Sequence, residues 1–146
     1  MQQQARDLAL TMRDGCLGVR ISRLHRLVAR RFDQALRPLG LTLPQLEILA
    51  VLMMRGAQKP SAVADALAVE RSTISRSLSA MEQKGWVAIQ SAPSGRAASV
   101  AITQQGVAVL ARAKTAWAEA QAYIVDLVGT DASGTIDSWL DAIAGP

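Results

Sequence analysis

Residues Pro60 to Val87 read PSAVADALAVERSTISRSLSAMEQKGWV, and this stretch decides the fold. It holds two short apolar-patterned helices joined by a tight turn. Val63, Ala64, Leu67 and Val69 supply the apolar side of the first helix and the turn. Ile74, Leu78 and Met81 recur at helical spacing and share one face of the second. Arg71, Ser72, Thr73, Ser75 and Arg76 open that second helix, and its polar residues fall largely away from the apolar face. In a helix-turn-helix the first helix braces and the second enters the major groove of duplex DNA. Arg can bind guanine O6 and N7 with two bonds, and Ser and Thr can reach bases or phosphates. Any amphipathic helix pair also has a polar face that is merely solvated, so the flanking chain carries the decision.

Downstream, Gly85 fits a helix stop that needs a left-handed residue. Trp86 to Gln90 reads as a short strand. Ser91 to Arg96 is a turn cluster with Pro and Gly, and Ala97 to Ile102 alternates as a second strand. A hairpin beside a reading helix is a wing. Arg96 near its tip is placed to enter the minor groove, where the negative potential is strongest.

Upstream, Leu17 to Arg37 is a long amphipathic helix with Ile21, Leu24, Leu27, Val28, Phe32 and Leu36 in phase, ended by Pro38 and Gly40. Thr42-Leu43-Pro44-Gln45 has the form of a capping box and starts a helix that stops at Gly56. Ser61 is the expected N-cap of the next. After the hairpin, Thr103 caps a long helix to about Val128, striped by Val107, Leu110, Trp117, Ile124 and Val128. A short helix through Ile136, Trp139, Leu140 and Ile143 ends the pattern. The fold class is therefore mainly α, with a two-stranded wing. The outer helices carry more apolar surface than the helix-turn-helix can cover, which points to a second copy. A twofold pair would present two reading helices about 34–36 Å apart, one DNA turn.

The chain has 146 residues, the length of one domain with a real core. Its net charge is +4, and the surplus is unevenly spread: residues 1–40 carry eight Arg against three acids, while residues 103–146 carry two basic and five acidic residues. A basic N-terminal and central part suits a polyanion partner. No apolar run approaches the roughly 20 residues of a membrane span. MQQQARDLAL lacks the basic start and apolar core of a signal peptide, so a cytoplasmic protein without membrane contact is expected. With one Cys and one His, Cys16 and His25, neither a disulfide within the chain nor a metal site is expected, and no cofactor. Ser72, Ser75 and Ser77 have no evident His or acid partner and no phosphate-cradling Gly loop is present, so no enzyme is expected.

ALRPLGLTLPQLEILAVL, LAVERSTISRSLSAMEQKGWV and ITQQGVAVL resemble, in order and spacing, the MarR family of bacterial transcription regulators. The resemblance runs from about Leu17 to Leu140. It implies a single winged-helix domain over 1–146, with 17–40 and 103–146 as dimerisation helices and 42–102 as the DNA-binding part. It further implies a homodimer on a pseudo-palindromic double-stranded operator, and a repressor released by a small-molecule effector or by oxidation. The family's wing motif Asp-x-Arg is here Ser94-Gly95-Arg96: the Arg is kept and the Asp is not.

The DNA-contacting set is thus Arg71, Ser72, Thr73, Ser75, Arg76 and Arg96. Family effectors lie between the dimer helices and the winged part, which nominates Leu24, Val28, Met53 and Trp117. Met53, Met54 and Met81 also read as core filler. Cys16, at the start of a helix, is a candidate redox sensor or a small packed residue. The alternatives are a regulator sensing oxidants through Cys16, a winged-helix interaction module without DNA binding, and a small-molecule carrier.

Overall fold

A computed structural model describes residues 1–95 and 97–145. Along them run α1 (Gln2–Gly15), α2 (Leu17–Leu36), a 3-10 turn (Arg37–Leu39), α3 (Leu43–Arg55), α4 (Pro60–Ala66), α5 (Arg71–Gln83), β1 (Val87–Ser91), β2 (Ala97–Ile102), α6 (Gln104–Val128) and α7 (Ala132–Ala144). The helix-turn-helix is α4–α5 and the wing is β1–β2. Arg96, the expected wing residue, lies outside the described residues.

The start of α3 shows why the chain turns where it does. Thr42 is extended, and its N–H donates to Gln45 Oε1 at 3.3 Å. The next N–H, of Leu43, donates to Asp33 Oδ1 on α2 at 2.6 Å. Two of the helix's free donors are thereby satisfied, and α3 is tied to α2. At α4 the expected cap is corrected: Lys59 is the N-cap and Pro60 occupies the first turn, so Ser61 lies inside the helix. Proline's fixed φ and missing N–H suit that first position.

The core is assembled from Phe32 and Leu36 of α2, Ile48, Leu49 and Leu52 of α3, Val63 of α4, and Ile74, Leu78 and Met81 of α5, with Val87 and Val100 from the wing. Met81 is core, as the sequence suggests. Met53 and Met54 are not: they are 53% and 85% exposed, because α3 turns Leu46, Ile48, Leu49 and Leu52 inward.

The wing strands pair antiparallel from Val87 opposite Ile102 to Gln90 opposite Ser99, with a register shift between Gln90 and Ser91. Gln58, in the α3–α4 connection, exchanges both backbone hydrogen bonds with Val100, at 2.9 and 2.8 Å. The sheet is thus anchored to the connection before the helix-turn-helix. A one-residue bridge has no period and leaves no sequence signal.

Two helices differ from expectation. The buried residues of α6 are Gly106, Val109, Ala113 and Ala120, not the larger Val107 and Trp117. Small side chains let α2 and α3 approach closely, and the bulky residues turn outward. Residues 2–15, for which no helix was expected, form α1. Neither α1 nor α7 buries a single residue within the chain. On α2 the stripe divides: Phe32 and Leu36 are buried, while Leu17, Ile21, Leu24 and Leu27 are exposed.

Candidate nucleic-acid interface

The reading helix α5 is held by its C-terminal end. Gly85 takes φ +72°, and the N–H groups of Gly85 and Trp86 donate to Glu82 O and Met81 O at 2.8 and 2.9 Å. Such a left-handed close satisfies the last carbonyls of the helix. The hydroxyl of Thr103 then donates to Gly85 O at 2.6 Å and accepts from Gly106 N–H at 3.0 Å. Its own N–H donates to Trp86 O at 3.0 Å. A Cβ at Gly106 would run into that same Trp86 oxygen, so the first turn of α6 sits directly on the end of α5. Glu82 adds a link to the wing, accepting from Ile89 N–H at 3.1 Å. Helix end, wing base and α6 form one block.

The exposed side of α5 is then free to meet a partner. Arg71, Ser72, Thr73, Ser75 and Arg76 are all exposed, backed by buried Ile74, Leu78 and Met81. Arg76 Nε donates to Ser72 O at 3.3 Å, which lays its guanidinium back toward the leading end of the helix. Glu70 is the N-cap, but its side chain makes no capping hydrogen bond. The five helix residues expected to touch DNA share one surface, and Arg96 lies outside the described residues.

The four residues nominated for an effector do not line one cavity. Trp117 borders a cleft of about 440 Å³ between α3 and α6, with Leu43, Leu46, Glu47, Ala50, Leu110, Ala113 and Lys114. Leu24 and Val28 border a second, of about 290 Å³, between α2 and α6. Met53 borders neither of these clefts. Glu47 was not singled out in the sequence, where it is one acid on an apolar helix. In the cleft, partial desolvation holds its carboxyl above the usual glutamate range, and the electrostatic pull of His25 works against that shift.

Cys16 is half-buried at the break between α1 and α2, where its extended backbone serves as the N-cap of α2. Tyr123, the one tyrosine of the sequence, lies under the guanidinium of Arg31. His25 is exposed. Among the described residues no group of three or more His, Cys, Asp and Glu is placed to hold a metal, and no single helix is long and apolar enough to cross a membrane.

The pattern of the MarR family matches residues 39–98. The HTH-type transcriptional regulator PecS of Dickeya dadantii (strain 3937) is 30% identical over 96 residues, which are 63% of this chain and 58% of PecS. The match thus spans little more than half the length of that relative. The M. tuberculosis transcriptional regulator MosR is 32% identical, with a TM-score of 0.73 over 85% of this chain and 90% of MosR. The transcriptional repressor CouR, in a structure bound to a 23-mer DNA duplex, is 27% identical, with a TM-score of 0.76 over 92% of this chain and 96% of CouR. These relatives are transcriptional regulators, not enzymes. With its winged helix-turn-helix, its long flanking helices and these likenesses, the chain belongs to the MarR family.

Proposed function

We propose that this chain is a homodimeric, sequence-specific DNA-binding transcription regulator of the cytoplasm, acting as a repressor that a small ligand releases. The observation that carries the reading is the exposed face of α5, where Arg71, Ser72, Thr73, Ser75 and Arg76 stand together over a buried apolar back. A helix so held presents donors to the major groove while its core side fixes the angle of entry. The DNA-bound relative CouR supports the same use of the fold. In this reading residues 42–102 contact DNA, with Arg96 in the minor groove, and 17–40 and 103–146 form the dimer.

The dimer is supported by apolar surface without an intrachain partner: Leu8 and Met12 on α1, Leu17 to Leu27 on α2, and Ile136, Trp139, Leu140 and Ile143 on α7. The effector site is the α3–α6 cleft. Its apolar walls, the Trp117 ring and the Glu47 and Lys114 side chains suit a small, largely apolar molecule with one polar end.

Genomic fragments retained by the pure protein should be sequenced, and their binding followed against salt. A pseudo-palindrome should emerge, with affinity falling roughly 10³–10⁵-fold between 50 and 200 mM salt for 6–10 phosphate contacts. Retention of no duplex, or association indifferent to salt, defeats the reading in favour of an interaction module.

A further inference from the structure

The residue that follows α5, Lys84, reaches across the domain. Its Nζ donates to the carbonyl of Gly40, 44 positions earlier, at 2.8 Å. The same ammonium stands over the Trp86 ring, 4.3 Å from the centroid. A carbonyl and an aromatic face both attract a cation, and together they give a flexible side chain one preferred direction.

Gly40 is no incidental acceptor. It closes the 3-10 turn after α2 at φ +67°, a conformation that favours glycine, with its N–H donating to Arg37 O at 2.9 Å. Residues 37–42 form the whole connection between α2 and α3, and Leu43 opens α3. On the α2 side it is held by Asp33, which accepts from Leu43 N–H at 2.6 Å. On the α5 side it is held by Lys84. Between them Leu41 is buried in the core. The helix whose exposed stripe faces a second copy and the helix that faces DNA are therefore joined by one short, doubly pinned segment.

Resting on the DNA-reading dimer proposed above, we infer that Lys84 is a positioning residue. It clamps the foot of α5 to the turn leaving α2, and so fixes where the two reading helices of a dimer stand relative to each other. Half-site spacing is a geometric property of a dimer, so slack in this clamp is read as tolerance of wrong spacing.

Lys84→Met removes the donor and charge while keeping an apolar stem, and Lys84→Arg restores both. Each is measured against the selected palindrome and against versions with one or two base pairs inserted or deleted between half-sites, at several salt concentrations. For Lys84→Met the expected result is about tenfold weaker binding at the native spacing. Its preference for that spacing over the altered ones should shrink, its melting curve should keep the wild-type shape, and its salt dependence should match wild type. Lys84→Arg should recover the spacing preference. If Lys84 instead contacts a phosphate, Lys84→Met lowers the salt slope by about 1 and weakens all spacings alike, which overturns the inference. Unchanged spacing preference overturns it too, as does failure of Lys84→Arg to restore it. Loss of folding in Lys84→Met would also overturn it, since the residue would then be structural. If wild type binds no duplex, the DNA reading itself has failed, and that outcome is separate from all of these.

Discussion

The guanidinium of Arg31 on α2 lies over the ring of Tyr123 on α6, 3.8 Å from its centroid. It bridges the two helices whose outer stripes have no partner in the chain, and forms one wall of the α2–α6 cleft. An exposed cation over an aromatic face is worth about 0.5–1 kcal/mol. Arg31→Ala should lower stability by about that amount, because the charge and its stem leave the ring together. Urea denaturation at fixed protein concentration measures it, and unchanged stability would show the stacking to be incidental.

Trp139 and Ile143 of α7 are 48% and 75% exposed in the single chain. Covering large apolar side chains is worth about 1.5–3 kcal/mol each. Trp139→Glu should therefore move the sedimentation mass toward the 15.5 kDa of one chain and weaken operator binding in step. A variant that remains a full-strength dimer would place the interface elsewhere.

Arg76→Ala should cost about 1–3 kcal/mol of operator binding and relax preference at one base pair in each half-site. Arg96→Ala should weaken preference for A·T-rich flanks instead. Selection from randomised half-sites reads both effects. A uniform loss for Arg76→Ala, with no base preference altered, would make it a phosphate contact.

Glu47 has its folded carboxyl raised by desolvation, opposed by His25. A raised carboxyl binds its proton more tightly in the fold than in the unfolded chain. Its stabilising effect is present below the ordinary glutamate range and is lost as pH rises through the raised folded value. Glu47→Gln cannot ionise. It should match wild type at the acid end of that window and be modestly more stable above it, the gain being small because the carboxyl is partly solvated. Stability curves across pH for both chains test the sign; a variant less stable above the window would show that the carboxylate is held by a favourable contact.

Gly106→Ala places a methyl against the Trp86 carbonyl, where backbone and not a flexible side chain must yield. Overpacking of this kind costs about 1–3 kcal/mol. Because α6 starts on the end of α5, operator affinity should fall along with the melting temperature. Wild-type stability would mean that this junction relaxes freely.

Ile74, Leu78 and Met81 against Arg71, Ser72, Thr73, Ser75 and Arg76 were legible from the chain alone, because a helix repeats over few residues and one amphipathic stripe defines both its faces. The stops at Pro38, Gly40, Gly56 and Gly85, the wing strands and the cap at Thr103 were legible for the same reason: each depends on neighbours in sequence. Tertiary structure alone decided which apolar residues found a partner. Met53 and Trp117 are as apolar as Met81, yet only Met81 is buried, since burial depends on which elements cross that face. The hold of Lys84 on Gly40, the pairing of Gln58 with Val100 and the raised carboxyl of Glu47 join positions far apart in sequence, and no local period encodes them. Local patterning determined the helices and the reading face, while long-range packing determined the clefts, the clamp and the surface left for a second copy.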